Sequence, residues 1–406
     1  MTSRAPELLA PAQGPEQLQM ALHFGADAVY LALPRWGMRA GARNFAEEEL
    51  AEAVAAAHAV GAKVHVTLNT LMTDADLDEL PICLEWLDAT GVDAVIVSDL
   101  GAMTLVRWHA PHVELHVSTQ ASVMNAAAAE AYARMGARRI VLAREMTLSQ
   151  ISELRRRLTP EVQIEVFAHG SMCMAYSGRC LISAELMGAA RSASKGACTQ
   201  PCRWEWSLVE RRNPGVPVDV DQDARGSYLL SSNDLCLLEH VDDLREAGVD
   251  ALKIEGRSKG SYYTACVTNA YRHVLDGAPP SVWMDELEAV SHRPYSTGFL
   301  LGDPRQNPGR VDYERERLMV GVGTGCEHRG DEWLTTLTCR NRAPKDAVAQ
   351  VLAPHADVRE LQLCGLEVEG DDGTWQPAEC LQRNGATYRL RTPWPLKPLD
   401  LICVRT

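Results

Sequence analysis

Thr90–Val97 reads TGVDAVIV: a glycine, a polar step, then an apolar run. The same form recurs as Phe24–Val29 (FGADAV), Val60–Val66 (VGAKVHV), Met135–Leu142 (MGARRIVL) and Ala247–Ile254 (AGVDALKI). Each glycine follows an alanine-rich or amphipathic segment. A glycine there ends a helix in a left-handed cap, and the chain turns at once into a strand. Such short helix-to-strand connections are what successive right-handed β-α-β units require.

Working outward, strand-like apolar runs fall at Glu7–Ala10, Ala28–Leu33, Lys63–Asn69, Ala94–Ser98, Val113–Ser118, Arg139–Ala143, Gln163–Ala168 and Ala251–Ile254. Helical spacing of apolar residues separates them, most clearly over Phe45–Val60 and Ala121–Met135. Eight β/α units predict a TIM-type (β/α)8 barrel over residues 1–280. The alternative, a doubly wound open sheet, lacks its signature. The first strand leads into Leu8–Gln17 (LLAPAQGPEQ), which is not a glycine-rich phosphate loop.

The seventh unit is irregular. Its strand ends near His169, whereas its helix is expected at Leu235–Ala247. A hairpin of Arg203–Glu210 with Ser227–Ser231 is expected between them. In the same gap lies a cysteine-rich insertion, residues 170–235. Residues 281–310, rich in glycine and proline, read as a linker. Short strands separated by turn signals then predict a small antiparallel β-barrel over 311–406.

In a barrel the chemistry sits where strands end and βα loops begin. The residues there are Asn69, Ser98, Asp99, Ser118–Gln120, Arg144, Glu145, His169, Gly170, Glu255 and Arg257. Asp99 and Ser118 also suit plain helix caps. The insertion adds Cys173, Cys180, Cys198 and Cys202, with six, seventeen and three residues between them. A long irregular loop inside a compact domain is uncommon unless it is functional. Zinc favours close pairs; Cys198 and Cys202 fit, but Cys173 and Cys180 are too far apart. An iron–sulfur cluster accepts looser spacing, and incidental or redox-active thiols are a third reading. Cys236, read at the start of a helix, competes with Cys202 as a fourth ligand.

The 406 residues are 46% hydrophobic and carry a net charge of −14. That charge speaks against indiscriminate binding of polyanions. No apolar run approaches the ~20 residues that span a bilayer, and the N-terminus lacks the layout of a secretory signal. A cytoplasmic location is expected, where clustered thiols are ligands or catalysts more often than disulfides. Basic clusters at Arg155–Arg157, Arg211 with Arg212, and Arg134, Arg138 and Arg139 are candidates for RNA contact, though a triple arginine on a helix also reads as a solvated face.

HGSMCMAYSGRC (169–180), GACTQPCRW (196–204), SSNDL (231–235) and LKIEGRSKGSYY (252–263) together resemble the collagenase-like peptidase family, peptidase family U32. The resemblance implies a TIM barrel with a 4Fe-4S cluster on Cys173, Cys180, Cys198 and Cys202. It also implies that the family name misleads as to chemistry. One branch hydroxylates the wobble uridine of tRNA to 5-hydroxyuridine and depends on prephenate. A second acts in anaerobic ubiquinone synthesis, and a third, longer branch hydroxylates a ribosomal RNA cytidine. The layout here is most similar to the tRNA branch. Its expected partners are thus a tRNA anticodon loop and prephenate. A dicarboxylate needs cations, for which Arg179, Arg203, Lys253 and Arg257 are the candidates. His169 and Glu255 are candidates for moving protons. A peptidase, or a protein of the ubiquinone-synthesis type, is the alternative.

Overall fold

The computed structural model describes residues 5–39, 43–173, 180, 182–204, 207–208, 218–219, 233–302 and 314–406. The expected eight parallel strands are present: Glu7–Pro11, Ala28–Ala32, Lys63–Leu68, Ala94–Val97, Glu114–Val117, Ala137–Val141, Gln163–Ser171 and Ala251–Ile254. Each pairs in parallel with the next, and the eighth pairs with both the seventh and the first, closing the barrel. Helices including Pro15–His23, Glu47–Ala59, Asp74–Thr90, Leu100–His109, Ala126–Arg134 and Leu148–Arg157 join the strands. All five repeated glycines take positive φ, from 78° at Gly61 to 102° at Gly136. A side chain at these positions would strain the helix-to-strand turn.

Part of the barrel interior is charged rather than apolar. Arg139, on the sixth strand, reaches Glu7 on the first (2.6 Å) and Glu165 on the seventh (3.1 Å). Two strands separate the sixth from the first, so this contact crosses the interior. Lys253 donates to the other oxygen of Glu165 at 3.0 Å. Arg139 is 1% exposed, which removes it from the RNA-contact candidates: its place on the strand turns it inward. Arg156 and Arg157 pair with Glu153 on their own helix, and Arg155 caps carbonyls at Leu158, Thr159 and Val162. That helix terminus precedes the seventh strand, so the triple arginine lies at the barrel end where strands begin. Arg211 and Arg212 fall outside the described residues.

The connection after the seventh strand departs from expectation at one point. Asp234–Cys236 is a strand, antiparallel to the end of the seventh, with Cys236 opposite His169. The helix begins later, at Val241–Glu246 after a 3-10 turn over Leu238–His240. The run DLCLL satisfies both periods, and pairing with the barrel edge decides it. Of the expected hairpin, Ser207–Leu208 pairs with Val218–Asp219; Ser227–Ser231 lies outside the described residues.

Of the expected linker 281–310, the described part, residues up to 302, does more than link. Pro280–Glu288 is a helix whose Trp283 and Leu287 are buried in the barrel's core, and Tyr295–Ser296 pairs with Asp234–Leu235. From Arg317 onward the chain forms an eight-stranded antiparallel sheet around its own core of Val320, Leu337, Tyr388, Leu390 and Ile402. No helix among the described residues is long and apolar enough to cross a membrane.

Candidate active site at the barrel mouth

A cavity of about 160 Å³ opens at the C-terminal ends of the strands. Cys173, Cys180, Cys198 and Cys202 all border it, together with Arg144, Glu145, Lys253, Glu255 and Arg257. The insertion thus folds back over the mouth, as its place after the seventh strand requires. Ser183 ties it together: its hydroxyl meets that of Thr199 at 3.0 Å and accepts from the Thr199 amide. The Gln200 amide donates to the Cys198 sulfur at 3.3 Å. Gly196 has φ of +71°, and a Cβ there would lie 2.9 Å from the Met38 Cα, so this close approach requires glycine.

These observations bear on the implied cluster. Four thiols from three separate segments converge on one cavity, one already accepting an amide hydrogen bond, and the donor set suits a 4Fe-4S cluster. Cys236 does not border the cavity. Burial pushes its thiol up to about 12, the reverse of what a ligand needs.

The strand ends hold the acidic and basic groups rigidly. The Glu255 amide donates to the His169 carbonyl at 2.8 Å, and the Tyr263 hydroxyl donates to the Glu255 carbonyl. Gly170 makes this packing possible. At φ +109°, any Cβ there would fall 2.3 Å from the Glu255 carbonyl oxygen. The Glu255 carboxylate accepts from Arg39 at 3.1 Å.

Two further guanidiniums lie beside it, Arg257 buried and Arg144 half-buried. The Arg144 Cζ lies over the Phe167 ring, 3.8 Å from its centroid, and the guanidinium donates to the Ser171 carbonyl at 2.9 Å. Arg257 donates to the Asn44 side chain at 3.3 Å. Among the described residues neither lies within ion-pair distance of a carboxylate. Burial holds Arg144 below its usual range, partly offset by Glu255, and brings Arg257 down to about 10. Glu145 also lines the cavity, with one carboxylate oxygen buried and without a hydrogen bond.

The sequence-predicted residues divide as follows. The four cysteines, Lys253, Glu255 and Arg257 share the cavity. Lys253 forms part of its floor, but Glu165 neutralises it, and its ammonium also sits 4.4 Å from the Tyr30 ring centroid. His169 does not border the cavity. Its ring lies fully buried near Tyr263, Tyr271 and Tyr295, and burial drives its pKa down to about 3. Arg179 lies outside the described residues; Arg203 closes a 3-10 turn, Pro201–Arg203. Asp99 is a helix cap, accepting from the Ala102 amide, and Ser118 both caps a turn and faces the cavity.

Sequence reading missed Arg39, Tyr30 and Phe167. Arg39 had a signal: the loop after the second strand (PRWGMRAGARN, 34–44) is long and basic and leaves the strand at the catalytic face.

The architecture is thus a (β/α)8 barrel whose mouth is closed by a four-thiol insertion. Residues 13–309 match Peptidase family U32, and the chain belongs to that family. It is 35% identical over 365 residues to the tRNA hydroxylation protein P1 of Bacillus subtilis, covering 87% of this chain and 85% of the relative. To the tRNA hydroxylation protein P of Escherichia coli it is 32% identical over 402 residues, 87% of each chain. An uncharacterized protease of Methanocaldococcus jannaschii is 40% identical over 311 residues, 74% of each chain.

Proposed function

We propose that this protein is an RNA nucleotide hydroxylase. Its substrate is the wobble uridine of tRNA, converted at C5 to 5-hydroxyuridine, with a 4Fe-4S cluster on Cys173, Cys180, Cys198 and Cys202 and with prephenate as co-substrate. The observation that carries this reading is the cavity itself. Four thiols, and two guanidiniums that have no carboxylate partner among the described residues, face one space at the catalytic end of the barrel. Relatives matched over most of the chain and named for tRNA hydroxylation support the same reading.

The reaction replaces C5–H with C5–OH; with water as the oxygen source it balances as C5–H plus H2O giving C5–OH, two protons and two electrons, and the electrons pass to an external two-electron acceptor. When bound, the cluster supplies redox chemistry or Lewis acidity beside it. The chain's own residues do the rest. Arg144 and Arg257 receive the carboxylates of the co-substrate; a planar guanidinium matches a carboxylate in two parallel hydrogen bonds. Phe167 keeps Arg144 aimed. Glu255, fixed by Arg39 and by its own backbone, holds the proton that C5 gives up; Glu145 is the second acceptor at the rim. His169 acts as a positioning residue through its carbonyl. An anticodon-loop base is already unpaired, so presenting it to the mouth costs little.

Mass analysis of tRNA nucleosides from a strain lacking this protein tests the reading. The expected result is loss of 5-hydroxyuridine and modifications built on it, restored by the wild-type gene. Unchanged nucleosides would sink it. Protein purified without oxygen is expected to hold about four irons per chain. Cys202→Ser should lower that number and Cys236→Ser should not.

A further inference from the structure

Where the barrel hands over to the C-terminal domain, Glu288, His292 and Glu314 bring three ligand atoms within 4.8 Å of one another. Glu288 ends the helix Pro280–Glu288, and His292 follows one turn later. Glu314 is locked opposite His292 by two backbone hydrogen bonds, 3.1 and 2.8 Å.

The histidine is what points to a ligand. It is 2% exposed, and its ring stacks on Tyr295 with centroids 4.2 Å apart. Its Nδ1 is 2.8 Å from the Arg293 carbonyl, which can only accept, so Nδ1 carries a proton. In the neutral ring Nε2 is then a bare lone pair. That nitrogen is buried, makes no hydrogen bond and faces two carboxylates. The Glu288 oxygen approaches it to 3.3 Å without hydrogen-bond geometry. A lone pair held 3.3 Å from the Glu288 carboxylate is repulsive unless a cation or a proton lies between them. A histidine whose other nitrogen is fixed by a carbonyl is the usual form of a metal-ligating imidazole. The His292–Glu288 separation of 3.3 Å agrees, since ligands about 2.0–2.1 Å from a tetrahedral zinc are about 3.3–3.4 Å apart.

We infer that Glu288, His292 and Glu314 bind a divalent cation of the zinc class. One imidazole and two carboxylates suit zinc and its neighbours better than calcium or magnesium, which prefer oxygen alone. Three protein ligands leave a fourth position for water. The bound ion clips the end of the helix to the strand that enters the C-terminal domain. It is separate from the thiol site, so it stands or falls independently of the hydroxylase reading.

Cobalt(II) is the probe, because its spectrum separates the two sites. Added to the full-length protein as purified, it is expected to give visible d–d bands of nitrogen and oxygen ligation without a thiolate charge-transfer band. Glu288→Gln and Glu314→Gln should each weaken that binding more than ~10-fold, while the iron content stays unchanged. Both positions are partly exposed, so these variants fold. Zinc should compete the cobalt away and raise the melting temperature of wild type but not of Glu288→Gln. Cobalt binding that shows only thiolate bands, or that survives Glu288→Gln, overturns the assignment. A melting temperature indifferent to zinc in wild type does so as well, since the pair would then be a protonated histidine with its carboxylates.

Discussion

The two ends of the barrel interior handle buried charge in opposite ways. At the end where strands begin, Arg139 and Lys253 meet Glu7 and Glu165, two cations with two anions, every contact between 2.6 and 3.1 Å. Burial alone would raise the Glu165 carboxyl, but Lys253 and Arg139 outweigh it and hold the group below its usual range. At the mouth, Arg39 has Glu255, but among the described residues half-buried Arg144 and buried Arg257 have only neutral hydrogen-bond partners. A buried ion pair that is closed on itself is part of the structure; a buried cation left open costs stability unless something else supplies the anion. The first end is finished by folding. The second is finished by binding.

The largest effect should come from breaking the finished end. Glu165→Gln leaves Lys253 and Arg139 buried without their shared carboxylate. Removing one partner of a buried pair costs about 3–5 kcal/mol, to be read as a lowered midpoint in urea unfolding. The comparison then demands the opposite at the mouth. Arg257→Met or Arg144→Met removes a cation with no anion to lose, so stability should hold or rise. Modification of tRNA should instead fall by about 100-fold, the scale of losing a charge-assisted contact of 2–3 kcal/mol. If Arg257→Met destabilises as much as Glu165→Gln, the two ends are alike and the carboxylate-binding role fails. A dicarboxylate co-substrate should raise the melting temperature of wild type and of Glu165→Gln, but not of Arg257→Met.

Much of this contrast could be read from the sequence at the level of elements but not of contacts. Eight apolar runs and five glycine caps specify the barrel, because each is a local signal of a few residues. The placement of the cysteine loop over the mouth follows from its position after the seventh strand. Which charges pair does not follow. Arg139 sits in ARRIV, where either arginine has an exposed reading. Only closure of the barrel brings Glu7, 132 residues away, to its side. Lys253 and Arg257 lie four residues apart and both border the cavity, Lys253 from its floor, yet one is neutralised and the other is not. That depends on Glu165 from a neighbouring strand. Arg39 lies 216 residues from Glu255. The helix over Pro280–Glu288 was hidden by a Gly-Ala-Pro-Pro run that reads as a break, although proline at a first helical turn is compatible with a helix.

The smallest test concerns the histidines, which again separate the ends. His65 and His116 stack edge to face at 4.8 Å in the barrel interior, and His169 lies among tyrosines beside the mouth. Burial lowers all three, His169 to about 3. A histidine with a folded pKa below its unfolded value of 6.5 takes up its proton more readily when unfolded. Stability is therefore complete above pH 6.5 and falls as pH drops through the window toward 3. His169 contributes about 1.4 kcal/mol per pH unit inside that window. Carboxylates such as Glu165 and Asp234, also held low, add to the same slope only below about pH 4.5. Between about pH 5 and 6 the slope thus belongs mainly to histidines. His169→Phe should remove about one proton's worth of it, measured by urea unfolding across that range. An unchanged slope would mean that the imidazole is reached by water or paired with an anion. His169 would then belong to the open, ligand-binding end rather than to the finished structure behind it.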